Sequence, residues 1–204
     1  MTTPSFTQLS QRVERHFGQR HRYAHSVRVA RCADVLAQHH GANPGKARLA
    51  GLLHDLARLF SPERLLAESA ARGLSIGEAE RAHPTLLHAR LGAEIAREEF
   101  GVDDAEVLSA IEKHTTGAAK MSPLDCIVYL ADSLEPGRSF EPRAALWQLA
   151  CNDLEAAMRA VLLSSIERNV RKGQATLPAT LAAAASFGLR VAGGVPAELR
   201  ASAS

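Results

Sequence analysis

The sequence predicts an all-α fold, a single bundle of helices around a buried dinuclear metal site. Three observations predict it. The chain is 46% hydrophobic but only 4% aromatic and is rich in Ala and Leu, a composition that favours close-packed helices over sheets. Helix-start pairs recur along it, Asn43-Pro44, Ser61-Pro62 and Ser122-Pro123, each a capping side chain followed by a proline suited to the first helical position. No stretch alternates apolar and polar residues for more than a few positions, so no strand is expected. Ionisable residues recur inside the apolar helical stretches, and these point to metal.

The elements follow in order. Leu9, Val13 and Phe17 repeat every fourth residue and mark a first helix that Gly18 ends. A second runs from about His21 to His40, its inward stripe holding His25, Val29, Cys32 and Leu36, with Gly41 closing it. Asn43 caps a third, which carries His54 and Asp55. Ser61 starts a fourth, ended near Gly73; residues 73–83 read as irregular or short-helical. Pro84 opens a helix over Thr85–Phe100, and Asp103 caps the next, which runs to His114. Residues 115–120 form a loop. Ser122-Pro123 begins a helix carrying Tyr129, Asp132 and Glu135, stopped by Pro136-Gly137. One or two long helices extend from Pro142 to about Arg171. The 204 residues make one domain, 1–204, with a core over about 13–178, a helical extension over about 179–190 and a frayed tail at 191–204.

Charge and composition exclude several classes. The net charge is +2 with both signs interspersed and no Lys/Arg block, so nucleic acid is not a partner. No apolar run approaches 18 residues and no signal peptide opens the chain, so no membrane is implied and the expected compartment is the cytoplasm. Cys32, Cys126 and Cys151 are widely spaced without a CxxC, and read as buried free thiols.

The chemistry lies in His25, His54, Asp55, His88, His114 and Asp132, each set among small or aliphatic neighbours. Burying one such group unpartnered costs several kcal/mol. Six in one small domain must satisfy one another, most simply around metal. Four imidazoles and two carboxylates suit Fe, Mn, Co or Zn better than Mg or Ca. His83, five residues before His88, is a rival ligand or a phosphate contact.

The segments Arg22-Tyr23-Ala24-His25-Ser26, Leu53-His54-Asp55-Leu56-Ala57-Arg58, His114-Thr115-Thr116-Gly117 and Ala131-Asp132-Ser133-Leu134-Glu135-Pro136-Gly137-Arg138 resemble the HD-domain metal-dependent phosphohydrolases. The resemblance is narrower to the YqeK-type symmetrical diadenosine tetraphosphatases. It implies an HD-domain bundle, metal ligands at those six positions, two divalent or mixed-valence transition metals (Fe first, with Mn, Co or Zn fitting the donors), and cleavage of diadenosine tetraphosphate into two ADP. Two departures stand out: Arg58 replaces the usual Lys of HDxAK, and Lys120 lies three residues beyond Gly117 where the family carries a cation directly after the Gly.

In that scheme His54 and Asp55 serve catalysis as well as metal, Asp55 is the natural bridge, and metal-bound hydroxide attacks phosphorus. Arg58 assists catalysis and substrate binding, or complements a helix dipole. Lys120 and Arg138 are further phosphate contacts, or solvated charges. Thr115, Thr116 and Gly117 offer hydroxyl and backbone donors. Glu135 orients a ligand, binds ribose or faces solvent. Phe140 and Trp147 stack on adenine or pack the core. The expected partner is a small dinucleoside polyphosphate. The Ala-rich C-terminal helices could pair two copies as a homodimer. A mononucleotide or dNTP phosphohydrolase and a non-catalytic nucleotide sensor are the alternatives.

Overall fold

The computed structural model describes residues 5–192 and 195–196. Helices α1 (Phe6–Phe17), α2 (Arg20–His39), α3 (Pro44–Leu53), α4 (Pro62–Ala71) and α5 (Glu78–Ala82) lead to a 3-10 turn at Pro84–Leu87. Then follow α6 (His88–Glu98), α7 (Ala105–Lys113), α8 (Pro123–Leu134), α9 (Arg143–Asn152), α10 (Leu154–Arg171) and α11 (Pro178–Ser186). Among the described residues no helix is long and apolar enough to cross a membrane.

Local chemistry sets the helix starts. Ser5 and Gln8 close a reciprocal capping box on α1, and Gly18 ends it at φ 58°. Asn43, Ser61 and Ser122 each accept a backbone N–H at the start of α3, α4 and α8, as the sequence predicts. Helix α2 is the spine, with α3 and α8 packed on it; α7 joins α3, α6 and α8, and α9 and α10 cover α8. The apolar filling includes Leu36, Leu52, Leu53, Leu91, Ile111, Ile127 and Leu130, all essentially inaccessible. Gly51 lets α3 cross α2 backbone against backbone: a Cβ there would lie 2.9 Å from the Ala30 Cα. That crossing sets the depth at which the residues after α3 enter the core.

Several expected boundaries shift. Helix α3 stops at Leu53, so His54 and Asp55 lie just beyond it rather than inside it. The His54 ring bonds the Gly51 carbonyl at 2.8 Å, the acceptor that a continued helix would offer to the Asp55 N–H. The chain then tightens into three-residue turns, with Arg58 N to Asp55 O at 2.8 Å and Phe60 N to Ala57 O at 3.2 Å. Asp104, not Asp103, caps α7, accepting from the N–H groups of Glu106 and Val107. Glu135 is the residue after α8. His16 and His40 tie segments together through the carbonyls of Leu56 (2.7 Å) and Ala150 (2.6 Å).

In the tail expected to fray, Val191–Ala192 pairs antiparallel with Val195–Pro196. Valines flanking Gly193-Gly194 are a hairpin signature that a search for helical period passes over. Residues 1–4, 193–194 and 197–204 lie outside the described residues. Cys32, Cys126 and Cys151 are free thiols, the first two buried and the third half-buried.

The Gly51 crossing makes a test. Gly51→Ala drives a methyl into the Ala30 backbone, and overpacking of this kind costs about 1–3 kcal/mol. The expected result is a Tm about 2–12 °C lower in a thermal scan. An unchanged Tm would contradict the close approach.

Candidate metal centre

Five segments each contribute to one point. His25 comes from the second turn of α2, His54 and Asp55 from the turn after α3, His88 from the first position of α6, His114 from the end of α7 and Asp132 from α8. All four imidazoles and Asp55 are at most 7% exposed. The structure therefore brings together the six residues that the sequence singles out.

Hydrogen bonds fix each ring. A carbonyl can only accept, so Nδ1 of His54, His88 and His114 donates to Gly51 O (2.8 Å), Thr85 O (2.5 Å) and Ile111 O (2.7 Å). Each acceptor lies three residues back in the same turn. The Nδ1 of His25 instead meets the Glu135 carboxylate at 3.1 Å. All four Nε2 atoms are thereby left to face inward. Those of His25 and His54 are buried without a hydrogen-bond partner.

Asp55 lies between them, one oxygen to each pair. Its Oδ2 is 3.8 Å from His25 Nε2 and 3.4 Å from His54 Nε2. Its Oδ1 is 3.4 Å from His88 Nε2 and 3.7 Å from His114 Nε2. Asp132 Oδ1 reaches His25 Nε2 at 3.1 Å and His54 Nε2 at 3.8 Å. Two overlapping ligand groups result, His25, His54 and Asp55 on one side and Asp55, His88 and His114 on the other, with a third linking His54, His114 and Asp132. Orphaned imidazole nitrogens beside split carboxylate oxygens fit a pair of transition-metal ions.

Electrostatics agree. Burial works to raise the Asp55 carboxyl, but the charge of His54 and bonds from His114, His54 and His88 hold it well below the carboxylate range. Burial works to lower His54, yet the adjacent Asp55 charge pushes it up to about 9. His114 is lowered by burial. The Asp55 charge thus favours a proton on His54. Metal binding there would displace it.

The centre forms the floor of a cavity of about 300 Å³. Arg58, Thr115 and Arg138 line it, as the sequence suggests, and Thr115 Oγ1 lies 3.1 Å from His88 Nε2 and 3.0 Å from His114 Nε2. Arg138 also holds Asp132, by Nη2 to Oδ1 at 2.5 Å. The other predicted substrate contacts lie elsewhere. His83 lines a separate cleft with Asn169 and Thr176, because it ends α5 facing away from the bundle centre. Lys120 lines a groove with Asp125 and Lys113. Thr116 and Gly117 line a third groove that shares only Thr115 with the cavity. The Gly117 N–H is already donated to Lys113 O at 2.9 Å. Glu135 is buried against His25, Arg28 and the Gly137 N–H, which hold its carboxyl down to about 2 against the upward push of burial.

Sequence reasoning missed Arg22, whose Nη1 is 3.5 Å from Asp55 Oδ2, and missed Ser164, Ser165 and Arg168 of α10 on the cavity wall. Arg22 precedes His25 by three residues, one helical turn, a spacing that could have revealed it. Nothing local marks the α10 residues, which arrive by docking. Phe140 reaches the cavity wall, whereas Trp147 packs on the core.

Comparison with known proteins adds the following. The HD domain family pattern matches residues 22–137. A symmetrical bis(5'-nucleosyl)-tetraphosphatase of Halalkalibacterium halodurans is 38% identical over 79% of this chain and 86% of its own length. One from Bacillus subtilis is 34% identical over 78% of this chain and 86% of its own. The crystal structure of a predicted HD superfamily hydrolase involved in NAD metabolism, from Clostridium acetobutylicum, superposes with a TM-score of 0.86 at 33% identity, covering 91% of this chain and 98% of that one.

The ligand arrangement predicts metal-linked stability. Adding Mn²⁺ to chelator-treated protein at about 100 times its dissociation constant stabilises by about 2.7 kcal/mol. The Tm should rise by about 5–11 °C, and Asp55→Asn should lose most of that rise. A wild-type Tm indifferent to Mn²⁺ would contradict the assignment.

Proposed function

The chain belongs to the HD-domain family, and from that premise we propose that it is a metal-dependent hydrolase that splits diadenosine tetraphosphate at its central bridge into two ADP. One observation carries the reading: a single buried carboxylate offers one oxygen to each of two histidine pairs beneath an arginine-lined cavity. The chain around it is similar to symmetrical tetraphosphatases over nearly four fifths of its length.

We assign His25, His54 and Asp132 to one ion, His88 and His114 to the other, and Asp55 to both. Two such ions, when bound, activate water and polarise a phosphoryl group. Iron is the first choice, and the same donors accept Mn, Co or Zn.

The protein supplies the rest. Arg58, Arg138, Arg22 and Arg168 ring the cavity and neutralise the polyphosphate, with guanidinium forks suited to paired phosphate oxygens. Arg138 bonds Asp132 and lines the cavity, so it holds a metal ligand and reaches substrate from one position. Thr115 places a hydroxyl beside His88 and His114, where it orients water or a phosphate oxygen. The leaving ADP is a weakly basic phosphate, so no separate proton donor is required. Phe140, Leu146 and Val161 form the apolar part of the wall and are offered to a base. Free cysteines fit a reducing cytoplasm.

Product chromatography tests the reaction. Wild-type enzyme should convert diadenosine tetraphosphate to ADP alone; ATP plus AMP would overturn symmetrical cleavage. Outer-shell substitutions at metal sites cost about 10–100-fold, so Asp55→Ala should exceed that loss. Hydrolysis undiminished in Asp55→Ala would remove the proposed bridge. Arg138→Ala should raise KM and also weaken metal binding, because it touches both.

A further inference from the structure

Three of the four imidazoles are held by a neutral carbonyl of their own helical turn, at Gly51, Thr85 and Ile111. His25 differs. Its Nδ1 partner is the carboxylate of Glu135, 110 residues away in sequence and 1% exposed. That carboxylate has its own holder. Arg28, one turn after His25 on α2, bonds it with Nε to Oε2 at 2.5 Å and Nη2 to Oε1 at 3.2 Å. The Gly137 N–H donates to Oε2 at 2.6 Å. Gly137 also makes room for the guanidinium, since a Cβ there would lie 2.8 Å from the Arg28 Cζ. One face of α2 therefore carries both the imidazole and the cation, and the residue ending α8 is clamped between them.

We infer that Arg28 is a positioning residue that acts through Glu135 on His25 and makes the two halves of the metal centre unequal. The inference rests on the metal assignment above. An imidazole that donates to a carboxylate is a more basic ligand than one that donates to an amide carbonyl. The fork of Arg28 holds the Glu135 carboxylate aimed at Nδ1. The half built from His25, His54, Asp132 and Asp55 thus has a charged partner behind one of its imidazoles, while both imidazoles of the half built from Asp55, His88 and His114 are backed by carbonyls. The first half should bind its ion more tightly, and its strength should depend on a side chain 35% exposed at the surface.

Co²⁺ titration of chelator-treated protein, followed by its visible absorption, tests this. Wild-type protein should take up two equivalents, one tighter than the other. Arg28→Met should weaken the tighter equivalent by about tenfold or more and leave the other within about twofold. Arg28→Lys, which keeps the charge without the fork, should fall between. Glu135→Gln should reproduce the selective loss, and adding Arg28→Met to it should cost nothing further, because Arg28 acts through Glu135. Should Arg28→Met fail to fold, Gly137→Ala displaces the guanidinium and should give the same selective loss. Two equivalents at wild-type affinity in these variants would overturn the inference, as would equal weakening of both, the mark of a general structural role. A wild-type protein that binds fewer than two equivalents would overturn the metal assignment itself.

Discussion

A buried carboxylate that cannot be left alone governs this protein. Asp55 is 4% exposed and surrounded by four imidazoles, three of which are fixed by backbone carbonyls so that their free nitrogens turn towards it. An isolated charge at that depth would cost several kcal/mol. Opposing helices resolve the cost by directing complementary groups inward from α2, α6 and α7. The same arrangement makes the cluster receptive to cations.

The bundle is shaped to deliver those groups. Gly51 brings α3 against the α2 backbone, and the His54 ring ends α3 by engaging Gly51 in turn. One glycine and one imidazole therefore place His54 and Asp55 at the centre. Stability and site geometry are coupled here because the same backbone contacts serve both.

Much of this was legible in the sequence, and the failures are informative. The helix starts were legible because capping is local: Asn43, Ser61 and Ser122 do what their chemistry favours. The six clustered residues were legible because ionisable groups in apolar runs must find partners. The end of α3 was not, because a side chain competing for a backbone acceptor leaves no trace in periodicity. The sequence offers Lys120 as a stand-in for the family's cation after the Gly, or as a solvated charge, and the loop carries it into a groove beside Asp125. Arg168, Ser164 and Ser165 were invisible, being distant in sequence and brought to the cavity by the docking of α10. The tail hairpin escaped because four paired residues offer too short a pattern.

The division of labour that emerges is simple. We read the carboxylates and imidazoles at the floor as cation ligands and the guanidiniums at the rim as phosphate contacts, with Arg138 joining the two through its bond to Asp132. Everything rests on Asp55 serving two ions at once. A crystal structure of Mn²⁺-loaded protein with anomalous diffraction tests that most directly. The account predicts two peaks about 3.5–4 Å apart, one beside each Asp55 oxygen. A single peak, or two that do not share Asp55, would contradict it.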